Sequence, residues 1–414
     1  MADNVYDILI VGGGAAGLFA AASAPARVKG LILDKAKAPG RKLLMSGAGQ
    51  CNLTHGGSIK DFVSHYGDNG SKIRTALYKF SNESVKDFFE NKGIPLIERE
   101  DGKIFPRSMD AKDVLDCLIR EGQKNGFSTI SSCDVTEVIP GDIYTVISSK
   151  GIFKAKKLLI CTGGCSYPTT GSDGRFLKVL EALDLEIIPT RPSLVPVSVE
   201  GYPYTELSGV SVKDMTIEAD GHKVSGDILF THNNFSGPAV LHISRYVKPG
   251  TEIKLCYCTD KKLNEIQEEL ALLRRDKSSG RKEALTVLNS LFPGLPSSFI
   301  RKIFADEGFD EHRVFAEFSS KAAAAFLSRI FTDTYKVSGT SGYSTAMATA
   351  GGVSLKEISL KTGESKKYPG LYLAGEVLDV DGDTGGYNLQ FAFSSGYNAI
   401  NDAAGTFIDT SGIK

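Results

Sequence analysis

A short apolar strand that runs into a glycine turn and then an alanine-rich helix start limits the possible folds of this chain more than any other stretch. Residues 5–17, VYDILIVGGGAAG, set Gly12, Gly14 and Gly17 in G-x-G-x-x-G spacing. In that pattern the first glycine makes a tight turn, the second lets the backbone approach a pyrophosphate, and the third lets helix pack on strand. The helix N-terminus, with the amides of Ala15 and Ala16, adds partial positive charge. LFAAASAPARV continues as the helix, and GLILDK follows as a second strand ending at Asp34, 20 residues after Gly14. An acidic side chain placed there accepts hydrogen bonds from an adenosine ribose. Near the other end, LYLAGEVLDVDGDTGGYNLQFAFSSG supplies another strand, a glycine-rich turn and another helix start. The two halves complete one nucleotide fold, so a discontinuous domain gripping a single flavin from both chain ends is expected.

A chain of 414 residues is too long for one simple core and implies two or three domains. Apolar residues at 42% and charged residues at 23% suit a globular enzyme rather than a disordered chain. The 48 basic and 49 acidic side chains leave a formal charge of −1, which gives no global field toward nucleic acid or an anionic membrane. No basic N-terminal region precedes the strand-sized run Ile8–Val11, and no apolar stretch is long enough to span a bilayer. A cytoplasmic protein with a small-molecule substrate, no membrane and no nucleic-acid partner is expected; no residue pattern specifies an oligomeric state. The seven cysteines are odd in number and scattered, which points to reduced thiols. Cys161 and Cys165 form C-x3-C, and Cys256 and Cys258 share one face of a strand, but neither spacing resembles a zinc site, so no metal is expected.

Between the two nucleotide-fold halves the pattern changes several times. SNESVKDFFENKG and DAKDVLDCLIREGQKNG predict two helices, with GKIFPRS as a short turn between them. TISSCDVTEVI, IYTVISS and KLLICTGG predict strands that close on a glycine pair. The proline-rich PTRPSLVPVSVEGYPY marks a boundary, after which short alternating runs to about residue 258 predict a small antiparallel β domain. A helical tract of about 70 residues follows. The domain boundaries are therefore 1–190 for the first part of the nucleotide domain, 191–258 for a β-barrel-like domain, 259–324 for an inserted helical domain, 325–344 for the barrel's return and 345–414 for the second part of the nucleotide domain.

NAD and FAD share the fingerprint, but only one copy is present, and GGCSYP at 163–168 is not a second. The close pair of redox cysteines of a disulfide reductase is missing too, since Cys51 stands alone. PGRKLLMSGAGQCNLT puts Arg41, Lys42, Ser46, Gly47, Gly49, Cys51 and Asn52 into one loop, where cations and backbone donors suit a pyrophosphate and small residues admit a flat ring. Val135 and the turn Thr162, Gly163 and Gly164 join the candidate cofactor set. LFTHNNFSGPAVL places His232 after a strand as either a proton donor or a structural hydrogen-bonding histidine. Tyr167 and Tyr387 are candidates to position a substrate or stack on a ring. Cys161 and Cys165 are read as buried small side chains rather than a redox pair.

These motifs, with GKIFPRSMDAKDVL, TGGCSYPTTGSDG, PSLVPV, LFTHNNFSGPAVLHISR, TAGGV and GEVLDVDGDTGGYNLQFAFSSG, resemble the BaiN-like NAD(P)/FAD-dependent oxidoreductases, a family of flavoproteins that includes aminoacetone oxidases. The resemblance spans nearly the whole chain. It implies an α/β fold: a Rossmann-type FAD domain of the glutathione-reductase superfamily with inserted β-barrel-like and helical domains. It also implies that Asp34 and Lys35 lie at the adenosine ribose, and Arg41, Lys42, Ser46 and Asn52 at the diphosphate and flavin. Gly375 and Glu376 would face the ribityl chain and diphosphate with Asp383 close by, and Gly386, Tyr387, Asn388, Leu389 and Gln390 the isoalloxazine. His232, Tyr387 and Asn388 are the candidate catalytic residues. Ala48 and Gln50 stand where many relatives carry Gly and Arg, which removes a cation from this loop. The expected activity is reduction of a small carbonyl-conjugated alkene through flavin N5, with NAD(P)H binding transiently at the flavin face. An O2-dependent oxidase of a small amine and a flavin-containing RNA-associated protein are the alternatives.

Overall fold

The structure is a computed structural model that describes residues 5–25 and 27–407; residues 1–4, read above for targeting signals, lie outside it. The described chain divides into two units, one formed by Met1–Pro192 with Tyr343–Lys414 and the other by Ser193–Gly342.

The first unit is built on a seven-stranded sheet. Strand β1, Val5–Val11, is buried on both faces over its second half, as a central parallel strand must be. It leads through the glycine turn into helix α1, Ala15–Ala22, and then to β2, Gly30–Leu33. Helix α2, Ala111–Lys124, begins on an Asp110 side chain that accepts the Lys112 N–H. Strand β3, Gly151–Ile160, pairs in parallel with β1 (Ile10 opposite Leu159) and also with β4, Leu371–Leu373, from the far end of the chain. Phe127–Ile130 extends the sheet beyond β2, and the antiparallel strands Tyr144–Ser148 and Val135–Ile139 extend it beyond β3. Helix α3, Tyr387–Gly405, lies against α1, where Phe19 and Phe393 meet at 4.6 Å between ring centroids. Their backbones approach so closely that a Cβ on Gly396 would lie 2.6 Å from the Ala16 carbonyl oxygen.

The segment GKIFPRS differs from the predicted turn. Lys103–Pro106 is a strand, paired with Thr54–His55 on one side and Leu96–Glu98 on the other. Ile104 and Phe105 are buried there, so the burial of two apolar residues against partners distant in sequence outweighs the local turn signal of Pro106.

The second unit is a closed six-stranded barrel, in the order Val197–Val199, Phe235–Ser236, His222–Phe230, Ser211–Ala219, Glu252–Cys256 and Asp333–Thr340. Alternation puts Met215, Ile217 and Ala219 inside, and Val212 is buried ahead of a bulge that shifts the register before Met215. Helices between Leu263 and Phe331 fill the interval before the last strand. The buried Asp333 carboxylate accepts hydroxyl hydrogen bonds from Tyr204 (2.7 Å), Tyr335 (2.7 Å) and Tyr257 (3.1 Å), and one from Arg329 Nε (2.8 Å), so the charge is paired. Among the described residues no helix is long and apolar enough to cross a membrane.

Candidate functional site

The three fingerprint glycines occupy different environments. Gly12 has φ +103°, and a Cβ there would lie 2.3 Å from the Cys161 carbonyl oxygen; one on Gly17 would lie 2.0 Å from the Gly12 carbonyl oxygen. Those two glycines are required by the protein itself. A Cβ on Gly14 meets nothing within 4 Å. Gly14 is also the N-cap of α1, with no side-chain cap and no acidic residue in the first turn, so the N–H groups of Ala15, Ala16 and Gly17 face an open, electropositive helix end.

Asp34 closes the turn. Its Oδ2 accepts the Gly13 N–H at 2.6 Å and its Oδ1 the Ala36 N–H at 2.7 Å. Burial raises its pKa, and the two backbone donors pull against that rise. A carboxylate oxygen can accept more than one hydrogen bond, so bracing the turn leaves capacity for a ribose hydroxyl. Lys35 pairs with Asp173, and Arg41 is exposed.

Lys42 Nζ lies 2.6 Å from Glu376 Oε2 and also contacts Ser166 Oγ, while Glu376 Oε1 accepts from Ser166 Oγ (2.8 Å) and the Thr349 N–H (2.8 Å). Thr349 Oγ1 in turn accepts the Cys165 N–H, and a Cβ on Gly164 would lie 2.5 Å from that oxygen. Gly163, at φ +73°, leaves 2.9 Å between such a Cβ and Ser172 Oγ. Ser166, Ser172 and Thr349 therefore complete a junction that sequence reasoning only half named. Their small polar side chains carry no local signal, and the partners of Ser166 and Thr349 lie far along the chain.

Asn52 Oδ1 and Thr162 Oγ1 are among the buried side-chain oxygens of the described residues that lack a hydrogen-bond partner. Both belong to the predicted cofactor set. Orphaned buried acceptors are costly and call for a ligand bearing O–H or N–H groups, as a ribityl chain or a flavin ring does. With the open Gly14 turn, they fit the dinucleotide that the fingerprint implies, held by α1, Asp34, Asn52 and Thr162.

At the opposite end, Gly386 (φ +100°) is the uncapped N-cap of α3, and a Cβ there would lie 2.5 Å from the Thr54 carbonyl oxygen. The first-turn N–H groups of Tyr387, Asn388 and Leu389 can stabilise negative charge on a neighbouring ring. Several of the predicted side chains point elsewhere. Asn388 exchanges two hydrogen bonds with the Gly382 backbone, at 2.9 and 2.8 Å, clipping the turn before α3. Gln390 is fully buried, accepting from Thr54 Oγ1 (2.6 Å) and donating to the Phe80 carbonyl and Ser394 Oγ. The Tyr387 ring is buried and stacks with both His65 (4.0 Å between centroids) and His55 (5.3 Å). Ser46 Oγ donates to the Leu43 carbonyl, and Gly47, exposed, and Gly49, half-buried, both lie at positive φ. The Cys51 thiol lies in the core, where burial pushes it up to about 12. Val135 opens its strand with a side chain in the core, and the Gly375 N–H donates to Ser395 Oγ at 2.9 Å. For Cys51, Val135, Asn388 and Gln390, contact with a cofactor would have to come through the backbone.

His232 belongs to the barrel unit. It is exposed at the tip of a turn that Thr231 and Asn234 hold closed, Thr231 Oγ1 donating to Asn234 O at 2.8 Å. Tyr167 sits at φ +51° with its N–H on the Tyr343 carbonyl (2.9 Å). Cys161 is buried and its pKa is raised by that burial; all seven cysteines are free thiols.

A family model described as the HI0933-like protein Rossmann domain matches residues 6–402. The chain is similar to a ribosomal RNA dihydrouridine synthase of Escherichia coli K12, at 32% identity over 96% of this chain and 98% of the relative. A second protein of that name, from Haemophilus influenzae, is 34% identical over 94% and 96%. A 3-dehydro-bile acid delta(4,6)-reductase of Clostridium scindens is 27% identical over 95% and 98%. Among solved structures, 3-ketosteroid delta1-dehydrogenase from Sterolibacterium denitrificans shares the fold, with a TM-score of 0.52 at 12% identity over 97% of this chain and 100% of that one. The family model matched over nearly the whole length places this chain in the HI0933-like family of FAD-binding Rossmann flavoproteins, as an FAD-dependent oxidoreductase.

Proposed function

We propose that this enzyme takes hydride from NADH or NADPH and delivers it, by way of FAD, to a carbon–carbon double bond conjugated to a carbonyl. The observation that carries this reading is that relatives with different names share one chemistry. Making dihydrouridine saturates the uracil C5=C6 bond, which is conjugated to the C4 carbonyl. A delta(4,6)-reductase of a 3-dehydro-bile acid saturates bonds conjugated to the 3-oxo group.

Bound FAD would supply the hydride chemistry, and the protein would orient the acceptor and stabilise charge. The α3 N-terminus offers backbone N–H groups where negative charge develops, and Asn52 and Thr162 hold the cofactor's donors. We take uridine in ribosomal RNA as the acceptor, supported by the two relatives at 32% and 34% identity. With a formal charge of −1, RNA would be held by local contacts and base recognition rather than by a global field. The bile-acid reductase favours a second reading, a free apolar enone.

The test mixes the anaerobic holoenzyme with NADH or NADPH and then with ribosomal RNA lacking dihydrouridine or with a 4-en-3-one steroid. Bleaching of the flavin followed by uridine gaining two hydrogens, read by nucleoside mass spectrometry, is the expected result. Reduction of the steroid alone would favour the second reading. Oxygen consumption with aminoacetone and no response to NAD(P)H would remove both.

A further inference from the structure

Beside the start of α3, His65 meets Asp383 and Tyr387, two residues of the candidate cofactor set. His65 Nδ1 is 3.0 Å from Asp383 Oδ2, and the Asp383 N–H donates to the His65 carbonyl at 2.8 Å, so the two residues are tied at both backbone and side chain. The same segment is fastened again on either side. Tyr66 Oη donates to the Tyr387 carbonyl at 2.8 Å, and Asn69 Nδ2 donates to the Asp379 carbonyl at 2.7 Å and its carboxylate at 3.1 Å. The His65 ring lies flat on Tyr387, with centroids 4.0 Å apart and planes 13° apart, and its side chain keeps 36% of its surface exposed. A carboxylate on Nδ1 and an aromatic ring stacked on its face hold the imidazole in one orientation, with Nε2 as the nitrogen that Asp383 does not engage, the arrangement of a proton-transfer imidazole.

We propose that His65, oriented by Asp383, is the proton donor of the reaction, an inference that rests on the alkene-reductase reading above. The β-carbon of the conjugated acceptor receives hydride, the electron pair having come from NAD(P)H by way of FAD. The electrons of the double bond move toward the carbonyl, and the α-carbon takes the proton from His65 Nε2. The imidazole, still donating through Nδ1 to Asp383, then regains a proton from solvent. This assigns the proton to His65 rather than to His232.

Two readouts on the full-length holoenzyme test it. Nitrogen-15 NMR of the ring, assigned by loss of the signal in His65→Gln, is expected to find neutral His65 protonated at Nδ1, with that tautomer lost in Asp383→Asn. A neutral ring protonated at Nε2 in the native protein would overturn the proposal. In the second, enzyme reduced anaerobically with dithionite is mixed with dihydrouridine-free ribosomal RNA or cyclohexenone. His65→Gln is expected to slow acceptor reduction by about 10²-fold or more while FAD content and NAD(P)H-driven bleaching stay native. Native acceptor rates in His65→Gln, with the loss appearing instead in His232→Gln, would overturn it. Failure of the unmodified enzyme to reduce either probe would overturn the alkene-reductase reading and this role with it. NMR showing the Nδ1 tautomer in that case would confine the failure to the chemistry and not to the His65–Asp383 geometry.

Discussion

Thr162 Oγ1 is buried with no partner, a cost to the cofactor-free protein that a hydrogen bond from bound FAD would relieve. Thr162→Val keeps the side-chain shape and removes that oxygen. The apoprotein should gain about 1 kcal/mol in denaturant unfolding, and FAD affinity should fall severalfold; a less stable apoprotein with unchanged FAD affinity would show that the hydroxyl serves the fold. Gly14→Val acts in the opposite way. It intrudes on open space rather than on protein atoms, so the variant should fold with native circular dichroism yet purify colourless. Full yellow occupancy would move the pyrophosphate elsewhere. At this scale the sequence was informative where local spacing alone marks a role, as at Gly12 with its positive φ and at Gly17 against the Gly12 carbonyl. It was silent where the partner is remote. Gln390 looks like a cofactor ligand beside a glycine turn, but it bonds Thr54, 336 residues away, and His65 meets Asp383 across 318 residues with no local pattern to mark the histidine.

Helix α2 shows how an element is anchored by charge. Glu121, on its buried face, is 6% exposed and receives Lys124 at 2.8 Å, Arg120 at 3.0 Å and Lys92 at 3.3 Å. Burial alone would raise its pKa, but the hydrogen bonds from Lys124, Arg120 and Lys92 outweigh it and hold the carboxyl at about 2, against an ordinary 4.5. Because the folded value is the lower one, the unfolded chain takes up the proton first as pH falls. The stabilisation is therefore complete above about pH 4.5 and is lost between there and about pH 2. Its partners are exposed and screened, so Glu121→Gln should cost only about 1–2 kcal/mol at pH 7. The variant's stability should also fall less steeply than the native protein's across that acid window. Equal acid slopes in urea unfolding would place the titration on other groups. Most elements were legible from their periodicity. The strand at Lys103–Pro106 was not, because its two buried apolar residues are too short a run to show a period.

Across the whole molecule the inserted unit is a closed excursion of the chain. Ile187–Ser193 pairs with Ala348–Val353, and in the barrel Val197 lies opposite Thr340 while the Ser341 N–H donates to the Pro196 carbonyl at 3.1 Å. The outgoing and returning segments therefore run side by side at the point of insertion. The first unit needs both of its pieces, however, because β4 completes the edge of β3 and α3 covers α1. Replacing residues 197–340 with a short glycine-containing turn should thus leave a folded protein of native-like helical circular dichroism that still binds FAD, whereas residues 1–192 alone should not fold. Loop-closure entropy favours the excised form, since a two- or three-residue turn replaces a long detour. Bound yellow cofactor with no acceptor reduction would assign FAD binding to the first unit and the reaction to the whole chain. A colourless or aggregated product would mean that the flavin-binding unit depends on the inserted one for its stability.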